Sequence, residues 1–84
     1  MKLQQYEVFN AIMKERSYQD AKWGDLDEKN QSLAGFLLIL RKELEEAEMG
    51  WMKNKGGRDS ALGEIVQIAA VAVAALQQYG LEGN

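Results

Sequence analysis

The chain contains no histidine, no cysteine and no proline, and each absence removes a class of explanation. Without histidine the commonest general base and transition-metal ligand is gone, and so are the Glu-x-x-His pairs of iron or manganese carboxylate bundles. Without cysteine, neither a disulfide framework nor a thiolate metal site can stiffen a small fold. Ser17, Ser32 and Ser60 have no activating partner, which argues against a nucleophilic serine. No GxxxxGK[ST] phosphate loop is present. Any catalysis must therefore run on carboxylates, on bound metal, or on both.

Eighty-four residues make one domain, spanning 1–84. A chain this short buries only about 60 to 65% of the surface its unfolded form exposes, so a partner subunit is the expected source of further stability. The net charge of −3 lacks the basic excess of a protein that grips nucleic acid, and no such partner is expected. The N-terminus has no apolar signal core. The apolar run near the C-terminus is alanine-rich, carries Glu64 and Gln67 near its start, and falls short of the roughly 18 to 20 residues of a membrane span. These features predict a soluble, cytoplasmic protein with no membrane association.

Hydrophobic periodicity predicts three helices, with no strand alternation longer than a few residues to compete. The first runs from about Leu3 to Asp20, where Tyr6, Phe9 and Met13, joined by Ile12, form an apolar face that Arg16 and Asp20 continue. Trp23 to Asn30 reads as a turn, and Asn30 or Ser32 is the expected cap of the next helix. That second helix spans about Gln31 to Lys53. Its Leu33, Leu37, Leu40, Leu44, Ala47 and Trp51 form a bundle seam, while a neighbouring row, Phe36, Ile39, Glu43, Glu46 and Gly50, begins apolar and turns acidic. Arg41 and Lys42 each stand four residues before a glutamate, a spacing that suits surface ion pairs.

Lys53 to Ser60 reads as a flexible turn, with Asp59 or Ser60 capping a third helix that Gly80 stops after Tyr79. This helix is apolar almost all the way round from Ile65 to Leu76, so its far side is expected to meet another subunit. Leu81 to Asn84 reads as a frayed tail.

Glu43 and Glu46 lie three residues apart on one helix, and Glu64 and Gln67 repeat the spacing on the next. Facing one another, the four would make an oxygen-lined site for a hard cation such as magnesium, which takes few carboxylates and leaves positions for water and phosphate. Gln67 also reads as a buried amide that hydrogen-bonds across a helix interface. Lys53, Lys55 and Arg58 flank Gly56 and Gly57 in the intervening turn, where cations suit phosphate oxygens or simply keep a loop soluble. Of the tryptophans, Trp51 fits the seam and Trp23, at the head of a loop, is the better candidate to stack a base.

In order, Glu15-Arg16-x-x-Gln19-Asp20-x-Lys22-Trp23-Gly24, then Lys42-Glu43-Leu-Glu45-Glu46-Ala-Glu48, then Glu64-Ile-Val-Gln67, the chain resembles the MazG-like branch of the all-α nucleoside triphosphate pyrophosphohydrolases. The resemblance runs from about Ile12 to Tyr79. It implies an all-α fold in which helical hairpins pair by homodimerisation into a four-helix bundle core, as a dimer or a dimer of dimers. It also implies hydrolysis of a nucleoside or deoxynucleoside triphosphate to the monophosphate and pyrophosphate with magnesium, or manganese, as cofactor. Glu43, Glu46 and Glu64 would be the catalytic metal-holding residues, assisted by Gln67, which stands where the family has aspartate and is a poorer ligand. Arg16, Gln19, Lys22 and Trp23 would contact the nucleotide, and Lys53, Lys55 and Arg58 the leaving pyrophosphate. The alternative is a catalytically weak or silent nucleotide-binding or oligomeric module.

Overall fold

Ser32 and Ser60 set where two of the three helices begin. Each hydroxyl accepts a hydrogen bond from the backbone three residues on, Gly35 N–H and Gly63 N–H, both at 2.9 Å, and so satisfies a donor the helix start would otherwise leave bare. The computed structural model describes residues 1–25 and 30–82. Helix α1 spans Gln5–Trp23, α2 spans Leu33–Met52 and α3 spans Ala61–Tyr79, with a short 3₁₀ turn at Gly57–Asp59 leading into α3. There is no strand among the described residues, and the protein is all-α. Positions 26–29 of the expected turn, and the last two residues of the expected tail, lie outside the described residues.

The expected helix ends hold to within a few residues. α1 continues past Asp20 to Trp23, where Gly24 turns at φ 90° and its N–H still reaches Asp20 O at 2.9 Å. Gly80, at φ 83°, ends α3 as expected, because a residue without Cβ enters that region at little cost. The 3₁₀ turn was not expected from the sequence.

α2 and α3 form an antiparallel hairpin. Gln31 exchanges hydrogen bonds with Gln78 (3.2 Å and 2.6 Å), Phe36 packs on Val71, Ala74 and the edge of Tyr79, and Gly50 lies against the start of α3. A Cβ at Gly50 would sit 2.6 Å from Asp59 O, so only glycine permits this approach. The register places residue 43 opposite residue 64.

Which face of each helix is buried differs from the periodicity reading. On α2 the face toward α3 is the mixed row, Phe36, Ile39, Glu43 and Gly50, with Leu40 and Ala47 from the seam's edge. The rest of the seam points outward: Leu37, Leu44 and Trp51 are more than half exposed, so Trp51 is not a core residue of the single chain. Small residues on α3 and Gly50 on α2 make the close contact available to that other row. On α1 the covered face is Ile12, Glu15, Arg16 and Gln19, about 90° round from Tyr6, Phe9 and Met13 at 100° per residue. Those three remain exposed.

The core is thin. Phe36, Val71 and Ala74 form its centre, and no large side chain is fully buried. α3 as a whole, 19 residues with a mean hydropathy of 1.4 over its most apolar window, reaches the length and composition of a membrane span, which the apolar run by itself was expected to miss. Only 28% of that window is buried within the chain, and Glu64 and Gln67 turn toward the other elements.

Candidate metal centre

α1 packs on α3 and not on α2, which leaves a cavity of about 660 Å³ between α1 and the hairpin. Glu43 and Glu46 stand on its α2 wall, one helical turn apart. Glu64, one turn into α3, lies buried beside them at 6% exposure. One carboxylate oxygen from each of the three falls within 4.8 Å of the others. Among the described residues no lysine or arginine forms an ion pair with any of them.

The electrostatics of this grouping are unfavourable as it stands. Oε2 of Glu43 and Oε2 of Glu64 are both buried without a hydrogen-bond partner. Such atoms normally find one, because an orphaned buried acceptor forfeits its hydration. Glu43 is pushed up to about 8 from its usual 4.5, first by burial and then by the close approach of Glu64 and Glu46, whose oxygens favour its protonated form and repel its charge. A divalent cation would supply what is missing: partners for the orphaned oxygens and charge against three crowded acids. The donor set, carboxylate oxygens only, suits magnesium or manganese.

Gln67 is held by the backbone. Its Nε2 donates to Arg58 O at 3.0 Å, and its backbone carbonyl accepts from Gln19 Nε2 at 3.4 Å. The amide thus ties α3 to the 3₁₀ turn while lining the cavity. The side-chain amide is therefore neither fully buried nor bonded across a helix–helix interface: its partner is the turn that leads into its own helix.

Arg16, Gln19, Lys22 and Trp23 all line the same cavity as Glu43 and Glu46. Arg16 spends its donors on Gln77 Oε1 (3.0 Å), Gln19 Oε1 (3.4 Å) and Asp20 Oδ1 (2.9 Å), so it docks α1 on α3 as well as facing the cavity. Trp23 is 59% exposed, with Lys22 Nζ 4.8 Å from its ring centre. Lys53, Lys55 and Arg58 do not line the cavity. Arg58 pairs with both oxygens of Glu15 at 2.7 Å and stacks 4.0 Å over Tyr18. Its guanidinium is held above its ordinary range by the hydrogen bonds to Glu15, against a burial penalty, with attraction from Glu15, Tyr18 and Glu64 added.

Among the polar residues lining the cavity, Lys42, Gln31, Asp20 and Asn30 were not given this role by sequence reasoning. Lys42 lies on its wall, although spacing alone made it a surface partner of Glu46, and Gln31 closes the end nearest α3's terminus. Lys42 precedes Glu46 by one turn, and that shared helical phase was the available signal. No family model, curated protein or solved structure matches the chain.

Proposed function

We propose that this protein is a magnesium-dependent nucleoside triphosphate pyrophosphohydrolase, working in the cytoplasm as a homodimer or dimer of dimers. The observation that carries the reading is the pair of orphaned buried oxygens on Glu43 and Glu64, in a three-carboxylate cluster beside a cavity large enough for a nucleotide. The ordered resemblance of the sequence to MazG-like proteins supplies the reaction.

Glu43, Glu46 and Glu64 would hold the metal, which when bound neutralises phosphate oxygens and polarises the phosphorus they surround. Lys22 and Lys42 face the polyphosphate, and Trp23 offers a ring to the base. A carboxylate of the cluster takes a proton from the attacking water as its oxygen bonds to the α-phosphorus. The bond from that phosphorus to the β-bridging oxygen breaks, and pyrophosphate departs. Lys53 and Lys55, outside the cavity, serve the leaving group only if the substrate extends past the cavity mouth.

Subunit pairing is supported by what the single chain leaves bare. Leu37, Leu44, Trp51, Met52, Leu62 and Ile65 are each more than half exposed on the hairpin, the kind of apolar grouping that marks a contact surface. A second hairpin laid against this face would complete a four-helix core.

The second reading, a nucleotide-binding module with little or no turnover, is favoured by Gln67, whose amide is committed to Arg58 O. One assay separates the two. Purified protein is incubated with a panel of nucleoside and deoxynucleoside triphosphates and magnesium, and pyrophosphate is measured. Release from at least one substrate, abolished in Glu64→Gln, is expected; saturable binding with no release at high protein concentration would leave the module.

A further inference from the structure

Arg58 is a hazard to an open carboxylate cluster. It sits in the 3₁₀ turn just before α3, its carbonyl holds Gln67, and its guanidinium is attracted by Glu64 as well as by Glu15. A guanidinium carries five donors in a planar fork suited to carboxylates. The orphaned carboxylate oxygens on Glu43 and Glu64 are partners of the kind such a group seeks, and Glu64 stands one turn before Gln67, whose amide holds the Arg58 backbone. The side chain is spent on other partners. It lies over Tyr18 and gives both terminal nitrogens to Glu15 in a two-pronged pair at 2.7 Å.

Glu15 is built to keep it there. This carboxylate is 7% exposed on α1, and Gln19, which also reaches the Gln67 carbonyl, donates to its Oε2 at 3.3 Å. Bidentate geometry, burial and the aromatic face beneath Arg58 all strengthen the outward pair. We infer that Glu15 is a positioning residue that holds the Arg58 guanidinium out of the Glu43–Glu46–Glu64 cluster, so that the cluster stays open to a divalent cation. The inference rests on the metal reading of the cluster proposed above. Loss of Glu15 then acts through Arg58, which becomes an internal competitor for the metal.

The test is a double-mutant cycle on magnesium binding, read by calorimetry and by the magnesium-linked rise in melting temperature rather than by turnover. Glu15→Gln is expected to weaken magnesium binding by on the order of tenfold, the usual size of coupling between two ligands. Arg58→Gln is expected to bind at least as tightly as wild type, and Glu15→Gln/Arg58→Gln to recover wild-type affinity within about threefold. If Glu15→Gln binds normally, or if the double variant stays as weak as Glu15→Gln, the inference is overturned and the pair merely ties α1 to the turn. Arg58→Gln carries the test even if Glu15→Gln does not fold, since weaker binding than wild type would overturn it equally. Absence of magnesium binding in the wild type would remove the metal reading and this inference with it, whereas binding without recovery in the double variant removes this inference only.

Discussion

Replacing Glu43 by glutamine should stabilise the metal-free protein and at the same time end its response to magnesium. In the folded chain Glu43 titrates at about 8 instead of 4.5, because burial and two neighbouring acids disfavour its charge. A raised carboxyl costs nothing below its unfolded value and its full penalty above its folded one, so stability falls as pH rises from about 4.5 to about 8. At about pH 7.5 the unscreened penalty approaches 4 kcal/mol at about 1.4 kcal/mol per unit. Glu43 is only partly buried, and water screening brings the gain expected from glutamine down to about 1–2 kcal/mol. For a domain of this size that is a rise in melting temperature of roughly 5–15 °C.

The assay is thermal unfolding followed by circular dichroism, with chelator or with excess magnesium, at about pH 7.5 and again at about pH 4.5. In chelator at the higher pH, Glu43→Gln should melt above wild type; at the lower pH the difference should nearly vanish. In magnesium, wild type should gain and the variant should not. A variant that melts below wild type in chelator at the higher pH, or that responds to magnesium as wild type does, would refute the reasoning. The first result would mean that the three acids are not in conflict, and the second that Glu43 is not a ligand.

Three further outcomes follow from the same geometry. Gly50→Ala should destabilise the protein by about 1–3 kcal/mol, since its Cβ meets Asp59 O at 2.6 Å and the hairpin must spread; denaturant unfolding measures it. Gln67→Asp exchanges the bond to Arg58 O for a fourth carboxylate, and should tighten magnesium binding in calorimetry while raising pyrophosphate release if the chain is an enzyme. If the chain pairs as proposed, Trp51→Glu, which places a charge on the bare hairpin face, should shift it to monomers in sedimentation, with a concentration-independent melt; an unchanged oligomer would exclude that face as the contact.

How far the fold can be read from the chain depends on the range of the interaction involved. The helix starts at Ser32 and Ser60 and the stop at Gly80 are set by groups within four residues, so spacing alone predicts them. The paired spacings Glu43/Glu46 and Glu64/Gln67 likewise named the acids that the fold brings within 4.8 Å. The choice of buried face is different. α2 carries two rows that each look like a core, and periodicity favoured the leucine seam, whereas the approach at Gly50 and the edge contact of Phe36 with Tyr79 selected the other. Trp51, on that seam, is left exposed by the single chain.

Arg58 makes the point most sharply. Beside two glycines and two lysines it reads as a phosphate-seeking cation, and nothing local reveals Glu15, 43 residues earlier, as its partner. The sequence by itself determined the three helices, the caps of the second and third, and the acids available to a cation, because backbone hydrogen bonding and helical phase are local properties. Only the tertiary structure decided which row of α2 meets α3, that α1 docks through polar groups, and that Arg58 is spent outside the cavity. Those outcomes turn on competition between distant partners of similar chemistry, and the winner is settled by packing distance and burial that no spacing along the chain encodes.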